Sequence, residues 1–219
     1  PDFEKNVLNE VIENGVVACV LKGLNSNAKY DIGELLQLLA ILAEEEPLQQ
    51  SILKQRGIRI VIRVLQLHKN DPDVVLAATN VLRILSQTNE GANAVSQSGG
   101  TRNVIKFAME CPAEARFIPA AAGAAELLAT LVVASKSVDG LRESLVEQEI
   151  SSAAVQLVDK FPEEENVTRY ADKILSEVMS PQSAVYLMAN PELSDIVHDY
   201  MPGAQSMAAE VIGANMAKI

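Results

Sequence analysis

The chain has no tryptophan, four tyrosines, four phenylalanines, two cysteines and two histidines among 219 residues. Each scarcity excludes something. Aromatic residues at 4%, without Thr-rich alternation, are too few for the half-buried faces of a β-rich protein. Cys19 and Cys111 cannot make a disulfide framework in a chain of this length. Both lie in apolar helical patterns and are expected to be reduced, buried hydrophobes of a cytoplasmic protein. His68 and His198 fall in different parts of the chain, and neither belongs to a Cys or carboxylate arrangement of metal-ligand spacing. His198, beside Asp195 and Asp199, reads as a surface pair, and His68 as the C-terminal end of an apolar helix. There is no glycine-rich phosphate loop, nucleophile elbow or calcium-binding loop. No cofactor, metal or catalytic residue is therefore expected, and the chain does not read as an enzyme.

Positive charge is scarce as well. Eighteen Lys and Arg face 29 Asp and Glu, for a net charge of −11 at pH 7 and a pI of about 4.7. Such a surface repels a phosphate backbone, so nucleic acid is not an expected partner. Simple adsorption to anionic lipid is disfavoured on the same ground. The longest apolar run, Ile118 to Ala134, has 17 residues and is interrupted by Pro119 and Glu126, which reads as too short and broken to span a bilayer. The chain opens on Pro1 rather than Met, as a fragment or trimmed product would. Direct membrane insertion is not expected, while a lipid anchor ahead of Pro1 is compatible with the sequence.

Hydrophobic residues make up 48% of the chain, mostly Leu, Val, Ile and Ala, which suit helix-on-helix packing. Gly15, Gly57 and Gly99 stand 42 residues apart, closing the similar segments Val11–Gly15, Leu53–Gly57 and Val95–Gly99. A fixed period of about 40–47 residues is the signature of an α-solenoid of the HEAT or armadillo kind. The best-marked unit runs from Gly57 to Gly99. Ile58, Ile60, Val61, Ile62, Val64, Leu65 and Leu67 predict its second helix. Asn70-Asp71-Pro72-Asp73 predicts a break with a capped restart. Ala77, Ala78, Val81, Leu82 and Leu85 predict a third helix from Val74 to Ser86, and Asn89 to Ser98 a short helix ended by a left-handed Gly99.

This unit resembles the armadillo family, in which a glycine opens an apolar helix, a Pro-Asp-type turn follows, and a helix with an Ala-Leu-x-Asn-Leu-Ser core closes the repeat. The corresponding stretches here are Leu38–Ala43, Val81–Ser86, Leu127–Val132 and Ile174–Met179, with a weaker echo at Ile212–Ala217. Their anchor residues Leu42, Leu85, Leu131, Val178 and Met216 are expected in the core. The resemblance implies an all-α, right-handed α-solenoid of armadillo-like three-helix repeats. Residues 1–219 read as one armadillo-repeat domain, with a partial unit at 1–15, repeats at about 16–57, 58–99, 100–150 and 151–193, and a shortened terminal cap at 194–219. Five of the six methionines, Met179, Met188, Met201, Met207 and Met216, fall at that end, where they fill a core or form an adaptable surface.

In armadillo proteins that hold extended peptides, the third helices line a concave groove with a ladder of Asn side chains. The matching positions here are Ile41, Ile84, Thr130 and Glu177, with Asn only at Asn215. One turn earlier, where such relatives often place Trp, stand Gln37, Asn80, Glu126 and Lys173. Recognition of a basic import peptide through an Asn ladder is therefore not expected. Four aligned polar residues in apolar helices need water or partners, so this row is expected on the concave face. Ile41 and Ile84 beside it read either as an exposed apolar strip for an amphipathic partner helix or as ordinary core. A second alignment joins Arg59 and Arg63 to Arg102 and Lys106, 43 residues later. This basic ridge reads either as a site for an acidic or phosphorylated segment or as cations paired with carboxylates such as Asp71 or Glu110.

The resemblance implies a cytoplasmic, non-enzymatic scaffold or adaptor that presents a helical surface to one or more proteins or peptides. Its alternative is an Hsp70 co-chaperone that speeds nucleotide release, as some short armadillo proteins do.

Overall fold

A computed structural model describes residues 12, 14–26 and 31–178 of the chain. The order of helices begins with α1 (Val16–Asn25), α2 (Ile32–Ala43), α3 (Glu46–Lys54), α4 (Gly57–Leu67), α5 (Pro72–Leu85), α6 (Asn89–Gln97) and α7 (Gly100–Glu110). A 3₁₀ turn at Ala115–Phe117 leads into α8 (Ile118–Ala134), followed by α9 (Leu141–Glu147), α10 (Ile150–Lys160) and α11 (Glu165–Val178). Among the described residues there is no strand. The chain forms two compact units, Pro1–Asn103 and Val104–Ile219, which divide within α7. Asn215, His198, the late methionines and the terminal cap lie outside the described residues.

The helix boundaries follow from local chemistry. Asp31 accepts a hydrogen bond from the Glu34 amide at 3.2 Å and opens α2. Asp71 accepts from the amides of Asp73 and Val74 at 3.2 and 3.4 Å, with Pro72 at the first helical position of α5. Thr88 does the same for α6, accepting from Gly91 N–H at 3.2 Å. Each cap satisfies an amide that has no partner inside its helix.

In the first unit, α1 packs on α2 and α4, α2 on α5, and α5 on α4. In the second, α11 packs on α8 and α10, and α9 lies against α8, α10 and α11. Short, second and third helices thus recur in order. The third-helix anchors Leu42, Leu85, Leu131 and Val178 are all buried, as their sequence alignment predicts.

One register differs from the expectation by a residue. Every second helix starts immediately after a residue with positive φ: Gly15 (65°), Arg56 (58°), Gly99 (80°) and Glu149 (61°). Each of these residues donates its N–H to the carbonyl three residues back, at 3.0–3.1 Å. The left-handed position before α4 therefore belongs to Arg56, not Gly57. Gly57 is instead the first residue of α4, where a Cβ would lie 2.5 Å from Ile52 Cγ2 and 2.9 Å from its carbonyl oxygen. The glycine there answers a close approach rather than a φ requirement.

Two further expectations are corrected. Cys19 is exposed, while Cys111 is buried as expected. The 3₁₀ turn extends the apolar helix to 20 residues, Ala115–Ala134, so length and mean hydropathy of 1.9 alone allow a membrane span. Within an 18-residue apolar window of that stretch, 56% is nevertheless buried in the protein, because α8 supplies core to the second unit through Ala121, Ala124, Leu128 and Leu131.

Candidate protein-binding surfaces

The third helices hold the first candidate row. On α2, Gln37 is exposed and Ile41, one turn on, is 63% exposed. On α5, Asn80 is half-buried and its Oδ1 accepts from Arg83 Nη2 at 2.8 Å. Ile84 is only 5% exposed, which removes it from the expected apolar strip. Ile41 and Ile84 share a repeat position, yet only the former meets solvent. Leu38 on α2, 40% exposed, extends the apolar surface that Ile41 begins.

A groove of about 690 Å³ runs along α1 and α2, lined chiefly by Val16, Cys19, Val20, Leu35 and Leu38. Sequence periodicity assigns all these residues to helices and marks none as groove-lining, because the groove depends on how α1 and α2 meet.

In the second unit, Glu126 on α8 is half-buried, as is Thr130, whose hydroxyl donates to the Glu126 carbonyl at 2.8 Å. On α11, Lys173 is exposed. Glu177 accepts a hydrogen bond from Lys136 Nζ at 2.6 Å, and Arg142 donates to its backbone carbonyl. The Lys136 hydrogen bond, reinforced by the charges of Lys136, Arg142 and Lys173, holds the Glu177 carboxyl below its ordinary range. Thus Gln37 and Ile41 share one exposed helix face, Asn80 and Arg83 form a local pair, and Glu177 is engaged by two cations. None forms an Asn ladder.

The basic residues occupy second helices. Arg59, Arg63 and Arg102, in the first unit, are exposed. Arg63 donates to Asn25 Oδ1 on α1 at 3.0 Å, rather than to Asp71. Lys106, in the second unit, pairs with Glu110 at 3.7 Å. Lys22 was missed by the glycine alignment. Counted from the left-handed residues, Lys22 on α1 and Arg63 on α4 both stand seven positions along. Counting from Gly15 and Gly57 puts Lys22 opposite Val64 and hides the match.

Among the described residues, no group of three or more His, Cys, Asp or Glu side chains is placed to hold a metal ion. Cys111 is pushed up to about 11 by burial, offset in part by the charge of Lys160. That thiol is poorly suited to nucleophilic work near neutral pH.

Three similar solved structures have this helix arrangement. A designed armadillo repeat protein in complex with a (KR)4 peptide has a TM-score of 0.65 at 17% identity, covering 91% of this chain and 84% of the other. The fold is armadillo-like. An engineered protein matches with a TM-score of 0.61 at 17% identity, covering 91% of this chain and 86% of its own. A second engineered protein has a TM-score of 0.65 at 16% identity, over 91% of this chain and 50% of its own. No family model and no curated protein sequence matches the chain. At these identities the armadillo likeness concerns the backbone alone, and the side chains at the ladder positions are this protein's own.

Proposed function

We propose that this armadillo-like chain is a cytoplasmic, non-enzymatic scaffold or adaptor that binds proteins or peptides along its third helices. The observation that carries this reading is the exposed face of α2. There Gln37 meets solvent and Ile41 is 63% exposed, while Leu36, Leu39, Ala40, Leu42 and Ala43 between and beside them are buried. A large aliphatic side chain beside a polar one, on a helix whose other face is anchored, suits a partner that supplies both an apolar and a hydrogen-bonding group.

Two facts support recognition by side chains rather than by a backbone-clasping ladder. The ladder positions carry Ile41, Ile84, Thr130 and Glu177, of which Ile84 is buried and Glu177 is engaged by Lys136. Asn80 is likewise drawn toward Arg83. The designed armadillo repeat protein in complex with a (KR)4 peptide supports peptide binding by such a backbone, and the chemistry of recognition here would differ.

Selection of a displayed random-peptide library on the full chain tests this reading. Selected peptides are expected to lose affinity about tenfold or more on Ile41→Asp or Gln37→Arg, with the thermal midpoint unchanged. Peptides that bind both variants as tightly as the parent would place recognition elsewhere.

A further inference from the structure

The second helices of the first unit carry a charge pattern opposite to that of the chain. Residues 16–25 and 57–67, which form α1 and α4, contain Lys22, Arg59 and Arg63 and no Asp or Glu, although the whole chain has a net charge of −11. The first turn of α7 adds Arg102. The left-handed residues set the register: Arg59 and Arg102 each stand three residues after one, and Lys22 and Arg63 each stand seven after one. A four-residue offset keeps both positions on one helix face, and all four side chains are exposed.

Contacts between neighbouring helices hold this face in order. Arg63 Nη1 donates to Asn25 Oδ1 at 3.0 Å, tying α4 to α1. Gln66 Nε2 donates to Asn103 Oδ1 at 2.8 Å, tying α4 to α7. The cations are thus repeated across three adjacent helices rather than scattered. Within the described residues, neither Arg59 nor Arg102 has a side-chain hydrogen bond or ion pair.

We propose that this second-helix face of the first unit docks an acidic segment of a protein partner, held extended with a carboxylate at about every third residue. The spacing follows from geometry. Packed helices lie about 8–10 Å apart, and three residues of extended chain cover about 10 Å. A carboxylate at every third position therefore passes from α1 to α4 to α7 in step with the cations, and each arginine offers a planar pair of donors. A short segment meets only this stripe. A nucleic acid or bilayer extends well beyond the Debye length of about 8 Å and meets the acidic remainder of the surface. The docking face lies on second helices and does not rest on the third-helix reading.

Titration of the full chain with a fluorescent peptide of repeated Glu-Ser-Ser triplets tests it. A peptide of the same composition with its glutamates in one block, and phosphatidylserine vesicles, serve as comparisons. The triplet peptide is expected to bind more tightly than the block peptide, with affinity falling as salt rises. Arg59→Gln/Arg102→Gln is expected to weaken it about fivefold or more, with an unchanged thermal midpoint. Lys54→Gln, which removes an exposed cation from the short helix α3, is expected to leave it unaltered, which separates the stripe from net charge alone. No saturable binding at about millimolar peptide, equal binding of the block peptide, an unaffected double variant, or binding confined to the vesicles would overturn the proposal.

Discussion

Lys136 and Glu177 join across the second unit at 2.6 Å, from just beyond α8 to the last turn of α11. The carboxylate occupies a position where a peptide-clasping armadillo repeat places Asn, and a lysine of the same protein already holds it. The hydrogen bond lowers the Glu177 pKa from its ordinary value of 4.5. Such a depressed group stabilises the fold above its unfolded pKa, and that contribution disappears as pH falls through the folded value. Lys136→Met is expected to raise the Glu177 pKa in an NMR pH titration. An unchanged titration would mean that the pair does not persist in solution.

The two cysteines are expected to differ in reactivity. Cys19 is exposed and Cys111 buried, with the Cys111 thiol raised to about 11. Under native conditions at pH 8, a thiol reagent should label one cysteine quickly, and Cys19→Ser should remove that fast phase. Rapid labelling of both would show that the end of α7 opens readily.

Arg56 and Gly99 hold equivalent left-handed positions at φ of 58° and 80°. A side chain in that region costs roughly 1–2 kcal/mol, while glycine adds entropy to the unfolded chain. Arg56→Gly is therefore expected to leave stability unchanged or raise it by about 1 kcal/mol, and Gly99→Ala to lower it by about 1 kcal/mol. Denaturant unfolding checks both. A clear loss for Arg56→Gly would mean that the Arg56 side chain contributes more than its backbone conformation costs.

Leu85 and Ile41 both belong to third helices and differ in burial, 0% against 63% exposed. Leu85→Ala is expected to cost about 2–5 kcal/mol through lost burial and a residual cavity. Ile41→Ala should stay within about 0.5 kcal/mol. Similar losses at both sites would contradict the helix orientation on which the α2 surface depends.

The order of helices and their anchors is legible in the residues alone. Asp71-Pro72 caps α5, Gly99 takes a positive φ, and Leu42, Leu85, Leu131 and Val178 are buried, because capping chemistry and a 3.6-residue period act within one helix. Packing between helices settles that Ile84 is covered while Ile41 is not, that Cys19 reaches the surface, and that Lys136 meets Glu177 from 41 residues away. It also gave the left-handed turn before α4 to Arg56 and so brought Lys22 into line with Arg63. These outcomes depend on which neighbouring helix covers a position. A local period can orient a side chain on its own helix, but it carries no information about what packs against that face.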